Sequence, residues 1–508
     1  MSDSSTGKRI AKNTLMLYFR QILIMLVSLY TVRVVLDVLG AEDFGIYNVV
    51  AGIVTMFTFL SGAMATACQR YFSFELGRKD YEQLKKTFSV SLISYIVVAV
   101  ILLLFAESVG LWFVYNKLDI PSDRVHAARL IYHASVVSLF FTIITTPYMA
   151  AIIAHEDMSV YAYLSIIEAF LKLLVPLLLP LFVFDKLVLY GYFLAGVVVI
   201  STFLYRTVSR RRYVECRSGW YWDRKLFKEL MSYTGWNMFG SSVQVFKFQA
   251  VNIVLNQFFN PVVVASRSIA NQVNHAVKSF AQNFSTAVRP QIIKSYAAGK
   301  FVEMNLLVYR SCKATFYLMF VFTLPLCLEM PFVLSLWLKT PPQYVVIFTQ
   351  LILVDALVDS VSYPLMTVAQ ATGKIRLYQA VVGGVLLLNL PFALIAMVLG
   401  FSPVSVFIIA VFLSFVAFGV RLFILKRLVQ FSIVQFIGNV VLPLLLSAVI
   451  GFVFSYPIKF LTIGGFIRAG LVVIISVISF SVAFFYFALM RVERGRVLAF
   501  IKSKIGTR

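Results

Sequence analysis

Residues 267–289, RSIANQVNHAVKSFAQNFSTAVR, combine an apolar background with a regular row of polar side chains. Successive members of the row are three or four positions apart: Arg267, Asn271, Asn274, Lys278, Gln282, Ser285 and Arg289. At about 100° per residue, this spacing places the whole row on one narrow stripe of an α-helix. The stripe contains no acidic residue. The stretch therefore predicts an apolar helix with one cationic face.

The composition of the chain is typical of a membrane protein. Of 508 residues, 60% are hydrophobic and 13% are charged, and the mean hydropathy is +0.89. Soluble domains contain about 25% charged residues. Apolar runs of about 20 residues, long enough to cross about 30 Å of hydrocarbon, recur from Thr14 to Met490. We therefore expect an all-α integral membrane protein.

Fourteen membrane-spanning segments are predicted from these runs. Their approximate limits are 14–36, 44–68, 87–113, 127–153, 159–183, 187–207, 231–257, 263–287, 306–337, 343–370, 376–399, 403–425, 434–456 and 467–490. The longest polar interval, from Arg206 to Lys228, leaves no room for a soluble catalytic domain. No A-x-A-like cleavage site follows the first segment, so we expect that helix to remain uncleaved.

The formal net charge of +23 is explained mainly by membrane topology. With the N-terminus in the cytoplasm, only six of the 45 Lys and Arg residues fall in intervals assigned to the opposite side. This bias follows the positive-inside rule and predicts that both termini are cytoplasmic. The basic residues then lie next to anionic membrane lipids, and nucleic acid is not an expected partner.

The sequence also shows signs of an internal duplication. At a displacement of 219 residues, six identities occur across 39 positions, and Arg70 aligns with Arg289. Six predicted segments separate the copies, so both have the same orientation, as in a parallel repeat with a substrate site at the repeat interface. We predict four regions: an N-terminal six-helix lobe at 1–208, a basic cytoplasmic linker at 209–228, a second six-helix lobe at 229–428, and two additional helices with a basic tail at 429–508.

Several charged residues fall inside the predicted segments, where a charge costs at least about 2.5–3.5 kcal/mol unless it faces a partner or water. They are Arg20, Arg33, Arg129, Lys172, Lys247, Arg267, Lys278, Glu168, Asp355 and Asp359. Glu168 and Lys172 are four positions apart and could neutralise each other on one helix face. Arg33 could pair with Asp37, and Arg129 could extend to the membrane surface. A substrate role for these residues stays open beside those local explanations.

The seventh segment has a polar face that matches the stripe of the eighth. It consists of Asn237, Ser241, Gln244, Lys247 and Asn252. Hydrogen bonds between helices would account for the amides but not for the cations. We therefore expect a polar cavity that binds an anionic substrate, because Lys and Arg neutralise phosphate directly. The candidate binding residues are Arg267, Lys278, Lys247, Arg20, Asn271, Asn274 and Gln244.

Asp355 and Asp359 lie one helical turn apart in the tenth segment. Either carboxylate could be the salt-bridge partner of Lys278 or Lys247, or the two could form a proton or sodium site that couples transport to an ion gradient. The sequence contains no Walker A motif and no H-E-x-x-H pattern, and its four cysteines form no C-x-x-C pair. Catalytic residues, a bound metal and a cofactor are therefore not predicted.

Three stretches resemble the polysaccharide-transporter flippases. They are KRIAKNTLMLYFRQ at 8–21, LGAEDFGIYNVV at 39–50 and YTGWNMFGSSVQVF at 233–246. This group includes the Wzx-type O-antigen flippases of the multidrug/oligosaccharidyl-lipid/polysaccharide exporter superfamily. The resemblance implies a bacterial inner-membrane protein with two six-helix lobes that form a V, as in MATE transporters, and two extra helices.

The same resemblance implies a substrate and a pathway. The substrate would be an oligosaccharide linked to undecaprenyl diphosphate, moved from the cytoplasmic to the periplasmic leaflet by alternating access for O-antigen, capsule or exopolysaccharide synthesis. Membrane lipids and other glycan-assembly proteins are the implied partners. The alternatives are a MATE-like, cation-coupled drug exporter, a membrane-embedded polysaccharide polymerase or ligase, and a scaffold for glycan-assembly enzymes. A cationic drug would favour an acidic cavity, and a polymerase would favour a long external loop.

Overall fold

A computed structural model describes residues 2–495 apart from positions 56, 118–120, 218, 260, 339, 430, 462–463 and 491–492. Over this part of the chain the structure is helical, and it contains no β-strand. The α-helices are α1 (Ser2–Thr55), α2 (Thr58–Arg78), α3 (Tyr81–Phe105), α4 (Leu111–Lys117), α5 (Val125–Ala154), α6 (Met158–Leu178), α7 (Lys186–Arg212), α8 (Arg224–Phe258), α9 (Pro261–Ala297), α10 (Phe301–Leu338), α11 (Val345–Ala371), α12 (Ile375–Leu387), α13 (Asn389–Val398), α14 (Val404–Val429), α15 (Ile433–Phe436), α16 (Leu442–Ser455) and α17 (Gly465–Ala483).

Eleven helical stretches among the described residues are long and apolar enough to cross a membrane. They are Gly7–Gly40, Tyr81–Gly110, Val125–Ala154, Met158–Leu181, Lys186–Arg212, Phe301–Leu338, Val345–Ala371, Ile375–Val398, Val404–Val429, Ile433–Phe460 and Gly465–Ala488. Three predicted segments, 44–68, 231–257 and 263–287, are not among them. The first of these extends across the end of α1 into α2. The other two coincide with α8 and α9, whose polar rows lower their mean hydropathy. The predicted all-α membrane class is confirmed.

Corresponding connections in the two halves have the same backbone conformation. The α2–α3 connection contains Lys79 with φ of 60°, and the α9–α10 connection contains Gly299 with φ of 72°. A left-handed residue at this position ends a helix because its N–H bonds back to the last helical carbonyls. The α5–α6 and α11–α12 connections likewise contain Glu156 (φ 66°) and Gly373 (φ 75°). These matched turns agree with the predicted parallel repeat.

The described chain forms two compact units. The first comprises residues 1–242 and 293–298, and the second comprises residues 243–292 and 299–508. The linker predicted at 209–228 packs within the first unit, where the Tyr221 N–H donates to Ser89 Oγ at 2.7 Å. Leu226 and Leu230 are buried there against Val90. The four predicted regions do not correspond one to one with these units and remain a prediction.

In the second unit, the C-terminal helices pack firmly on α10. Phe480 of α17 is fully buried and packs against Phe320 with a tilted ring at a centroid distance of 4.4 Å. Both carboxylate oxygens of Glu329 accept hydrogen bonds from the Arg468 guanidinium at 2.9 Å. Lys313 donates to the Ala488 carbonyl at 2.6 Å. The predicted extra helix pair is therefore an integral part of this unit.

Glu156 holds three chain segments of the first unit together. Its carboxylate lies 2.8 Å from Nε of Arg9 and 2.7 Å from Nζ of Lys294, and the carboxylate side chain is only 1% exposed. Its carbonyl accepts a hydrogen bond of 2.9 Å from Asn13. Burial lowers the pKa of Lys294, while the neighbouring Glu156 carboxylate opposes that shift. A left-handed non-glycine residue is strained, and these contacts hold it in place.

Glycine at position 77 allows the end of α9 to approach α2 beside this network. A Cβ at Gly77 would lie 2.7 Å from the Lys294 backbone. Nearby, the rings of Phe74 and Tyr296 are 6.5 Å apart. Residues 293–298 are therefore docked on the first unit by close backbone contact as well as by charge.

We predict that Glu156→Gln destabilises the protein by about 3 kcal/mol, because removal of one partner leaves a buried charge uncompensated. The measurement is the apparent Tm of the purified full-length protein in detergent, which should fall. Glu303→Gln is the control, since the Glu303 side chain is 61% exposed in its pair with Lys300 and should leave Tm unchanged. An unaltered Tm for Glu156→Gln would show that the network contributes nothing to stability.

Candidate functional site

Lys278, in the middle of the α9 stripe, forms an ion pair with Asp359 of α11. Lys278 Nζ lies 3.0 Å from Asp359 Oδ2, and the two side chains are 19% and 22% exposed. Of the alternatives that the sequence left open for Asp359, the structure contains the salt bridge with Lys278. An additional role of Asp359 in ion coupling stays a prediction.

Two further charged residues, Asp355 and Arg421, interact with this ion pair. Asp355, one turn before Asp359, accepts a hydrogen bond from Ser414 of α14. Arg421, also on α14, is 7% exposed and donates to Ser362 Oγ at 2.6 Å. Both carboxylates interact electrostatically with Lys278 and with Arg421. Lys278, Arg421, Asp355 and Asp359, on α9, α11 and α14, thus form a cluster whose own formal charges balance.

The other end of the stripe is held by amide contacts. Arg267 is 6% exposed and donates to the side-chain oxygen of Asn252 on α8. The Asn271 amide donates to the Arg267 carbonyl at 2.9 Å. The buried side-chain oxygen of Asn274 has no hydrogen-bond partner among the described residues. An acceptor left in this state next to Lys278 is available to water or to a ligand. The side chains of Gln244 and Lys247 lie outside the described residues.

Arg20 belongs to the first unit and lines a separate cavity there. Its guanidinium donates to Ser165 at 3.3 Å and lies 4.7 Å from the centre of the Tyr161 ring. The cavity has a volume of about 380 Å³, and its other polar lining includes Ser61, Thr142, Thr145, Thr146, Glu168, Lys172, Ser201 and Tyr205. A neighbouring cavity of about 420 Å³ shares Thr142 and Lys172. Glu168 and Lys172 form the ion pair considered above, at 2.6 Å.

Three buried charged residues were not identified from the sequence: Arg421 of the Lys278 cluster, and Glu329 and Glu156 elsewhere in the structure. Arg421 lies near the end of its segment, where basic residues are normally explained by topology. Its position seven residues after Ser414 places both on one helix face and is a signal that could have identified it. Glu329 and Glu156 are likewise close to segment ends, and nothing in the local sequence indicates that they are buried.

Solved transporter structures share this fold. The chain is similar to a multidrug resistance MATE family transporter of the MOP superfamily in an outward-facing conformation, with a TM-score of 0.73, 13% identity, and coverage of 84% of this chain and 96% of that chain. A MOP superfamily transporter from Pyrococcus furiosus Vc1 (DSM3638) gives a TM-score of 0.70 at 13% identity and the same coverage. The MATE transporter ClbM in complex with Rb+ gives 0.67 at 16% identity, again covering 84% and 96%.

These likenesses show that the chain has the fold of the MATE and MOP superfamily transporters. The model of the polysaccharide biosynthesis protein family matches residues 10–295, more than half of the sequence. The chain therefore belongs to that family. Comparison with curated proteins gives no match.

We predict that Lys278→Met and Asp359→Leu each destabilise the protein by about 3 kcal/mol, because each removes the direct ion-pair partner of a largely buried charge. The double variant should recover most of the loss, since it removes both charges together. Thermal unfolding of the purified variants in detergent measures both effects. Additive losses in the double variant would show that the two side chains do not interact energetically.

Proposed function

We propose that this protein is a flippase for an oligosaccharide linked to undecaprenyl diphosphate. It carries this lipid from the cytoplasmic to the periplasmic leaflet of the bacterial inner membrane by alternating access, for the synthesis of O-antigen, capsule or exopolysaccharide. Membership of a polysaccharide biosynthesis family and a transporter fold support a glycan-related cargo. The distribution of Lys and Arg supports cytoplasmic termini.

The cationic stripe of α9 is the observation that carries this proposal. Between Glu229 and Glu303 the sequence contains no acidic residue, but it contains Lys247, Arg267, Lys278, Arg289, Lys294 and Lys300. A diphosphate attached to a lipid needs several positive groups near the membrane interior in order to leave the headgroup region. Arginine binds phosphate oxygens through two parallel hydrogen bonds, and lysine acts as a compact positive charge. Arg267, Lys278 and Lys247 are the proposed phosphate-binding residues of the second unit, and Arg20 is a separate candidate in the cavity of the first unit.

In this proposal the Lys278–Asp359 ion pair opens when the diphosphate binds and forms again when the diphosphate leaves. A diphosphate carries more negative charge than one carboxylate and can replace Asp359 as the partner of Lys278. Asp359 would then face Asp355 one turn away, and binding of H+ or Na+ would relieve the repulsion between the two carboxylates. Asp355 and Asp359 are in this way the proposed ion-coupling residues.

Amide and hydroxyl groups are suited to the sugar part of the cargo. Asn271, Asn274 and Gln244 share the faces of α8 and α9 with the cations. The Asn274 oxygen, which has no hydrogen-bond partner among the described residues, could accept from a sugar hydroxyl. Thr142 and Ser165 beside Arg20 provide similar groups in the first unit.

Within this fold, the polarity of the binding pocket separates the flippase from the drug-exporter alternative. The Pyrococcus furiosus transporter is described with the words "reverse polarity of binding pocket suggests different function". In the second unit, Asp355 and Asp359 both interact with Lys278 and Arg421, and carboxylates that are already neutralised by cations attract a cationic drug less strongly. An unchanged drug sensitivity on deletion of the gene, with loss of surface glycan, would separate the two functions.

We predict that exchanging the bridge residues, Lys278→Asp with Asp359→Lys, lowers surface glycan at least tenfold while protein abundance stays within twofold of normal. The exchange keeps an ion pair, but it moves the cation from the α9 stripe to α11. Surface glycan is measured in cells whose own copy is deleted and replaced by the variant. Full glycan display by the exchanged protein would show that the bridge is only structural.

The matched control exchanges an exposed pair, Lys300→Glu with Glu303→Lys. These side chains are 55% and 61% exposed, and the pair should be exchangeable without effect on glycan or abundance.

A further inference from the structure

The outer face of α7 changes from apolar to cationic towards its C-terminus. One side of the helix packs on α5 and buries Tyr205 and Ser209. On the exposed side, Ile200 and Phe203 are 50% and 54% exposed, and an exposed Arg206 follows within one turn. An exposed apolar face on a membrane-spanning helix lies against lipid. The arginines at its end therefore lie where lipid headgroups begin.

These arginines surround a formed cleft. Its volume is about 530 Å³, and it is lined by Phe203, Arg206, Thr207, Arg210, Arg211 and Arg217. No acidic residue is among the lining residues that the structure describes. Topology alone accounts for basic residues at this end of the helix, but it does not require four guanidinium groups to converge on one cleft beside an exposed phenylalanine.

The cleft is held in shape by the chain that follows α7. Arg217 folds back and donates to the carbonyls of Arg210 and Arg211, at 2.5 and 2.6 Å, and thereby satisfies the free carbonyls at the end of the helix. Glu215, two residues earlier, bonds to His155 at 2.6 Å. Tyr213 donates to Asp157 at 2.6 Å. The basic segment is therefore fixed against the α5–α6 connection, and Arg217 has a defined position.

We propose that this cleft binds the phosphate of an anionic membrane lipid, with the hydrocarbon chain of the lipid along Phe203 and Ile200. Guanidinium groups match phosphate oxygens in geometry and charge, and four like charges around one cleft repel each other until an anion is bound. The apolar surface directly below the arginines selects a phosphate that carries a hydrocarbon chain. Two sources have this chemistry: a bulk phospholipid such as phosphatidylglycerol, and a polyprenyl diphosphate. The binding does not depend on the proposed transport activity.

The test is lipid retention by the purified full-length protein, measured by native mass spectrometry after addition of phosphatidylglycerol, phosphatidylcholine or undecaprenyl diphosphate. Arg206→Gln with Arg210→Gln should reduce retention of phosphatidylglycerol at least fivefold. The control, Arg224→Gln with Lys228→Gln, removes two exposed basic residues of the same region outside the cleft and should retain it normally. Equal losses in both double variants, or no loss in either, would overturn the proposal.

The identity of the bound lipid is determined by comparing how strongly the wild-type protein retains the two anionic lipids. Preferential retention of undecaprenyl diphosphate over phosphatidylglycerol assigns the cleft to the carrier lipid, and comparable retention assigns it to bulk phospholipid. Phe203→Gln keeps all four arginines and provides a second test if the arginine variant fails to fold. It should weaken retention at least threefold, and unchanged retention would contradict the proposed contact with the hydrocarbon chain.

Discussion

The free energy cost of placing a charge in hydrocarbon is the constraint on which this structure depends. In the described part of the chain, ion pairs between distant segments offset this cost. Lys278 pairs with Asp359, Arg468 with Glu329, and Lys294 with Glu156. Each pair joins residues far apart in the sequence, so each one also selects which helices are neighbours. The ion pairs that neutralise these charges therefore also determine how the helices pack. A substrate that breaks such a pair must change the packing as well.

The sequence predicted the class and the helical stripe correctly, because both depend on local properties. Composition is sufficient to place about 20-residue apolar runs in a membrane, and a spacing of three and four residues is sufficient to define one face of α9. Partner choice is different, since it depends on tertiary packing. Asp355 and Asp359 share one face of α11, and no local rule selects Asp359 for Lys278. Likewise, the left-handed position occupied by Gly373 in one half is occupied by Glu156 in the other, where contacts with Arg9 and Lys294 hold a conformation that glycine adopts freely.

One fold can serve different functions, because the framework of helices is separate from the side chains that line it. In the second unit, the polar row of α9 interrupts the apolar surface that the other helices provide. The same row removes α9 from the helices that hydropathy identifies as membrane spans. A helix that is poorly suited to lipid but packs against the apolar helices α10 and α11 is suited to line a water-filled path. The proposed route for a diphosphate-linked glycan follows from this property more than from any single residue.

Access of water to the α9 stripe is the central claim, and cysteine labelling tests it most directly. In a variant with the four native cysteines replaced, Asn271→Cys, at a partly exposed position of the stripe, should react with a membrane-impermeant thiol reagent applied to the aqueous phase. Addition of a lipid-linked oligosaccharide should slow that reaction. Ala281→Cys, at a fully buried position of the same helix, should not react. Failure of position 271 to react from either side of the membrane, in protein that still displays glycan, would contradict the account.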